Sequence, residues 1–125
     1  MKELDSFLEK IEKVMKENRQ YKFEAYSFVM AALHNTVSKL PKARHVTGRE
    51  LLHGIRDYAL DQYGPLARTV LNHWGIKKTD DFGRIVFALV EVGILRKQPE
   101  DKIEDFHDVY DFKDAFDKGY KIKDE

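Results

Sequence analysis

Hydrophobic residues recur at helical spacing over most of the chain. Between residues 3 and 18 they stand three and four positions apart, with Glu and Lys on the other face, which predicts an amphipathic helix. We interpret it as a helix docked on the core, with a dimerisation helix as the alternative. Between residues 23 and 39 apolar residues cover most of the circumference, which is typical of a central bundle helix. Leu40 ends this helix, because the residue before a proline disfavours the α conformation.

Capping residues divide the next stretch into three further helices. Residues 47–50, Thr-Gly-Arg-Glu, match the capping box, in which the first and fourth residues hydrogen-bond each other's backbone. This helix is predicted to end at Gly64, and the next, opened by a proline, at Gly75. Thr79 is predicted to cap a third helix that ends at Gly93.

The stretch 94–106 has the pattern of strand, turn and strand, which predicts a small β-hairpin. A winged-helix domain has the same order of elements, which is helix, helix, short turn, helix and hairpin. The predicted fold is therefore mainly α with a small β-hairpin, in which a winged-helix-like unit, 47–106, packs with N-terminal helices spanning 3–40. The acidic segment 107–125, with a short last helix, completes a single domain, 1–125. The residues expected in the core are Phe28, Leu33, Leu51, Ile55, Leu71, Trp74, Phe82, Ile85, Val86 and Leu89.

Composition narrows the setting. Hydrophobic residues make up 42% of the chain, which is enough for a core and excludes wholesale disorder. The chain has no Cys, which excludes disulfides, thiolate metal sites and a Cys nucleophile. No apolar run approaches the roughly 20 residues of a membrane span, and the first residues lack a secretory pattern. We therefore expect a cytoplasmic protein that does not bind membranes. High charge with few amides is typical of thermophile proteins.

Charge is balanced overall but unevenly distributed. The chain carries 22 basic and 22 acidic residues, a net charge of zero. Residues 21–98 hold twelve basic and seven acidic residues (+5), and residues 99–125 hold five basic and ten acidic residues (−5). One interpretation is a solvated acidic tail. The other is that the C-terminal segment lies on the basic body and masks it.

The helix-turn-helix order raises nucleic-acid binding as one hypothesis. The basic residues that could contact phosphate are Lys77, Lys78, Arg84, Arg96 and Lys97. Asp80 and Asp81 begin the would-be recognition helix, and the net charge is zero, both of which disfavour a nucleic-acid partner.

A protein partner is the leading hypothesis for the same helix. Arg84 and Phe87 are expected to stand off its buried stripe, with Glu91 also exposed. An exposed aromatic residue beside an arginine is common in interface anchors. The alternative is that Phe87 is buried beneath the N-terminal helices. We expect a monomer or a weak dimer.

The segment before the capping box is a third candidate. Arg44, His45 and Arg49 surround Thr47 and Gly48, where a helix N-terminus exposes free N–H groups, as in an anion site. The alternative is that these basic side chains are solvated or pair with acids such as Glu50.

Catalytic patterns are weak. His53 and Asp57 share a helix face at i and i+4, but no third residue completes a metal-ligand spacing. No serine lies in a nucleophile elbow, and the glycines do not cluster into a phosphate-binding loop. We therefore predict no catalytic residues, no metal and no cofactor.

Several short strings resemble a family of small bacterial proteins. They are Arg44-His45-Val46-Thr47-Gly48-x-Glu50-Leu51-Leu52, Trp74-Gly75-Ile76 and Asp81-Phe82-Gly83, with Glu24-Ala25-Tyr26 before them and Tyr110-Asp111-Phe112 after. The resemblance covers about residues 21–116. It implies a stand-alone bacterial cytoplasmic protein, and the family has no established activity to transfer. The sequence thus predicts a non-enzymatic protein-interaction module, then a nucleic-acid-binding regulator, then a small enzyme or anion-binding protein.

Overall fold

Helices α2 and α3 form the centre of the fold. The structure is a computed structural model that describes residues 2–118. Its helices are α1 (Lys2–Glu17), α2 (Phe23–Ser38), α3 (Gly48–Tyr63), α4 (Ala67–His73) and α5 (Thr79–Glu91). A 3₁₀ turn, Gly64–Leu66, joins α3 to α4, and after α5 come a second 3₁₀ turn, Ile103–Phe106, and a π-helical turn, Lys113–Lys118.

The prediction of a helical protein is confirmed, and most of the predicted core is buried. Helix α2 packs on α3 and α5 through the apolar surface that covers its circumference. The backbones of α2 and α3 come close at Gly54, where a Cβ would overlap the Thr36 side chain. Of the expected core, Leu33, Trp74 and Val86 are only partly buried. The fully buried members are Phe28, Leu51, Ile55, Leu71, Phe82, Ile85 and Leu89.

Two predicted helix starts have different outcomes. The Thr47 hydroxyl accepts from Glu50 N (3.1 Å), and Glu50 Oε1 accepts from Thr47 N (2.9 Å), so the capping box is present. Thr79 is not the cap that was predicted, because Lys78 is the N-cap of α5. The Thr79 hydroxyl is buried instead, where it donates to Phe106 O (2.6 Å) and accepts from Val109 N (3.1 Å).

The predicted β-hairpin over 94–106 is wrong, and with it the winged-helix unit 47–106. No strand occurs anywhere in residues 2–118. Ile94 and Leu95 resemble a strand in sequence, but both amides donate to Leu89 O, at 2.9 and 3.2 Å, and close the end of α5. Gly93, with φ of 83°, makes this reversal. The amides of Ile94 and Leu95, which a β-ladder would need, are thus already hydrogen-bonded to the end of α5.

The C-terminal segment packs along the helices. Phe112 and Phe116 are buried, with ring centroids 5.0 Å apart and nearly perpendicular. Asp117 forms an ion pair with Arg68 of α4, Arg68 Nη2 to Asp117 Oδ2 at 2.7 Å. Residues 119–125 of the predicted acidic tail lie outside the described residues. They include Tyr120, which is expected in the last helix. Within residues 2–118, no helix has the length and apolar content to cross a membrane.

Candidate binding site

An apolar cavity of about 200 Å³ lies where α2, α3 and α5 meet the segment after α5. We call it the main cavity. Its walls are apolar side chains and the N-terminal glycine of α3, and its rim is charged. The residues that line it are Leu33, Val37, Arg44, His45, Val46, Thr47, Gly48, Leu51, Val86, Phe87, Leu95, Arg96, Lys97, Asp101, Asp105 and Phe106.

The predicted anion-site residues form one side of this rim. Arg44 donates to both carboxylate oxygens of Glu50, with Nη1–Oε1 and Nη2–Oε2 distances of 3.1 and 2.6 Å. This ion pair and the Thr47 amide lower the pKa of Glu50 to about 2. Glu50 therefore already occupies the positive end of α3 as its anion. Gly48 is buried against Phe106, and Arg49 is exposed beside the site.

A carboxylate ties the two sides of the rim together. His45 Nε2 lies 2.6 Å from Asp101 Oδ2, and the same oxygen accepts from Gln98 N at 2.8 Å. His45 and Asp101 are 56 positions apart in the chain. The segment after α5 is thus held against the segment before α3.

Arg96 and Lys97 complete the rim from the segment after α5. Both are exposed, and within residues 2–118 neither forms an ion pair with a carboxylate. The Lys97 ammonium lies 3.5 Å from Gln98 O. The rim therefore presents two cations that have no carboxylate partner in the described part of the chain, beside apolar walls.

Phe87 separates the main cavity from a shallow neighbouring groove. The ring is half-buried and packs edge-to-face on Phe106, with centroids 6.3 Å apart. Phe87 is expected to be exposed beside the buried stripe, and the structure leaves it only partly exposed. It lines the groove together with Arg84, Glu91 and the 41%-exposed Ile103. We call this depression the side groove.

Arg84 is held in place by a buried carboxylate. Its Nη1 donates to Asp81 Oδ1 at 2.7 Å, and the Tyr21 hydroxyl donates to the same oxygen at 2.5 Å. The other Asp81 oxygen accepts from the amides of Lys77 (2.8 Å) and Lys78 (3.2 Å). Burial, then the neighbouring Asp81, raises the pKa of Tyr21 to about 12.

The predicted nucleic-acid residues are not gathered in one patch. Lys77 and Lys78 precede α5, whereas Arg96 and Lys97 follow it. Arg96 and Lys97 line the main cavity, whereas Lys77 and Lys78 line neither that cavity nor the side groove. Arg84, between them, is paired with Asp81.

His53 and Asp57 lie beside another surface depression, between α2 and α3. Among residues 2–118, no group of three or more metal-ligating side chains comes together. The His53 ring lies 6.3 Å from that of Tyr110.

Sequence analysis did not identify Val46, Leu95 and Phe106 as part of one cavity with Phe87. Each lies in a segment without helical periodicity, so the pattern carries no signal of where it packs. Comparison with protein-family models, curated proteins and solved structures found no match to this chain. The resemblance to short bacterial proteins stays a prediction.

Proposed function

We propose that this protein is a protein-interaction module that binds a partner segment across the main cavity and the side groove. The observation that carries the proposal is the apolar cavity with Arg96 and Lys97 at its rim, neither of which forms an ion pair within residues 2–118. In this proposal, an apolar side chain of the partner enters the cavity, and an acidic residue beside it pairs with Arg96 or Lys97.

The size of the cavity supports a protein partner over a drug-sized ligand. Sites that enclose a drug-sized ligand usually measure roughly 300–1,000 Å³, and the main cavity is about 200 Å³. This volume suits one anchoring side chain, the arrangement found at interface hot spots. Phe87 and Ile103 extend apolar surface along the side groove, where the rest of the segment would lie.

A displayed library of random peptides tests the proposal without a known partner. We expect selected peptides to share a large apolar residue next to Asp or Glu. Filling the cavity with Val37→Phe should weaken binding of a selected peptide at least tenfold, about 1.4 kcal/mol. Leu66→Phe, at a 61%-exposed position outside the cavity, is the matched control and should bind like the wild type.

Charge reversal separates this proposal from nucleic-acid binding. Arg96→Glu with Lys97→Glu should abolish peptide binding, whereas Lys77→Glu with Lys78→Glu should not change it. Nucleic-acid binding would be weakened by both pairs and would fall steeply with salt. Selection without an acidic–apolar motif, or capture from lysate that disappears after nuclease treatment, would contradict the proposal.

A further inference from the structure

A second cavity lies at the opposite end of the α2–α3 pair and is lined mainly by aromatic rings. It measures about 240 Å³, and we call it the aromatic cavity. Its lining residues come from positions 23–31 of α2, the second half of α3 and the end of α4. They are Phe23, Glu24, Ser27, Phe28, Ala31, Tyr58, Tyr63 and Trp74.

The rings of the aromatic cavity are inclined to one another. Tyr63 and Trp74 are edge-to-face, with centroids 5.8 Å apart and planes at 82°. Phe28 is tilted by 38 to 50° against both rings and against Tyr58, with centroids 5.5 to 6.1 Å apart. Since the rings are not coplanar, a group bound in the cavity can contact more than one of them.

The rings of this cavity remain partly accessible. Phe28, at its base, is 5% exposed, whereas Phe23 is 43% exposed. Tyr58, Tyr63 and Trp74 are half-buried. A concave aromatic surface that is partly exposed is typical of a binding site.

Glu24 is the charged residue in the described lining. It is exposed and forms no ion pair or side-chain hydrogen bond within residues 2–118. Lys22 is close in sequence, and its amide donates to Trp74 O at 3.2 Å, but Lys22 does not line the cavity. Aromatic faces carry negative potential, so the rings and the Glu24 carboxylate both favour a cation.

We propose that the aromatic cavity binds a small-molecule quaternary ammonium. A methylated ammonium is attracted to aromatic faces within about 6 Å and loses little hydration on entry. The volume accommodates its head group. The other polar groups of the lining are the hydroxyls of Ser27, Tyr58 and Tyr63 and the indole N–H of Trp74, and a cavity of about 240 Å³ has room for one head group, which favours a free small molecule.

Choline and its uncharged isostere dimethylbutanol, in which carbon replaces the nitrogen, provide the test. Trp74 is the only tryptophan in the chain, so its fluorescence reports directly from the cavity. Choline should change the emission saturably at constant ionic strength, set with sodium chloride. The isostere should bind about tenfold more weakly, which corresponds to 1.4 kcal/mol.

Two variants identify the groups responsible. Glu24→Gln and Phe23→Leu should each weaken choline binding several-fold with little change in melting temperature, because both residues are exposed. Glu9→Gln on α1 and Phe23→Tyr are the matched controls and should bind like the wild type. NMR shifts of the Tyr58 and Tyr63 rings provide a readout independent of Trp74.

Three results would overturn the proposal. Equal affinity for choline and its isostere would make the cavity an apolar site. No saturable change with choline would mean that the aromatic cluster is packing alone. A trimethyllysine peptide that binds much more tightly than choline would assign the site to a protein ligand instead of a free small molecule.

Discussion

The side chain of Phe106 lies so close to Gly83 that a Cβ at residue 83 would come within 2.7 Å of Phe106 Cβ. A Cβ at Gly48 would come within 3.0 Å of the ring. Two helices, α3 and α5, therefore carry glycine where Phe106 enters between them. Since Phe106 also lines the main cavity, this packing shapes the proposed binding site.

Gly83→Ala should destabilise the protein by about 1–3 kcal/mol, because the added methyl overpacks a filled site. Inside a helix, alanine is otherwise more favourable than glycine by about 1 kcal/mol, so the expected sign is reversed by Phe106. Urea unfolding measures the change. The same substitution should cost less in a Phe106→Gly background, which removes the Phe106 Cβ together with the ring, and a Gly83→Ala protein more stable than the wild type would contradict this packing.

Phe82→Ala should cost about 3–5 kcal/mol, because it empties a fully buried site. Phe82 is 0% exposed and packs on Phe112, with ring centroids 5.8 Å apart. Trp74→Ala should cost less despite the larger side chain, because Trp74 is only partly buried. Thermal and urea unfolding of both variants give the order. A greater loss at Trp74 would place the tryptophan, not Phe82, in the centre of the core.

Asp81→Ala should destabilise the protein more than Tyr21→Phe. The tyrosine substitution removes one hydrogen bond and should cost about 1 kcal/mol. The aspartate substitution leaves the Tyr21 hydroxyl and the Lys77 and Lys78 amides without their acceptor, and should cost about 1–3 kcal/mol. A double-mutant cycle in urea should show coupling between Tyr21 and Asp81. Asp61→Ala, at an exposed position, is the control, and additive losses would argue against the contact.

The Asp80–His107 pair should make stability depend on pH. His107 Nδ1 lies 2.7 Å from Asp80 Oδ2. Asp80 raises the pKa of His107 above 6.5, with a smaller contribution from Asp108 and opposition from Lys78. His107 in turn lowers the pKa of Asp80 below 3.8. The Asp80–His107 pair therefore stabilises the fold fully between pH 3.8 and pH 6.5, the ordinary pKa values of the two groups. It is lost as pH rises through the raised His107 pKa and as pH falls through the lowered Asp80 pKa.

Melting temperatures of wild type and His107→Gln between about pH 3 and pH 8 test this dependence. The difference between the two proteins should be greatest near pH 5 and shrink on either side. His34→Gln, at an exposed position, should follow the wild type across the range. A constant difference from acid to alkaline pH would mean that the pair does not titrate with folding.

Local patterns predicted the helices well. Helices α1, α2, α3 and α5 have bounds within a few residues of those expected, because periodicity and capping depend on neighbours one turn away. The capping box at Thr47 and the chain reversals at Gly75 and Gly93, both at positive φ, are local features of this kind. The local pattern was misleading over 94–106. The apolar residues there have the spacing of a strand, but they close the end of a helix or make a tertiary contact.

The helical class, the main buried stripes and most helix ends of this protein follow from local sequence patterns. The tertiary structure alone decided that Phe106 would pack on Gly48 and Gly83, that Phe87 would be half-buried, and that Arg44 and Arg96 would border one cavity. These residues are far apart in the chain, so no periodic pattern relates them. Their meeting depends on shape and volume after the helices pack, because a contact between distant residues must offset the entropy of closing the chain between them.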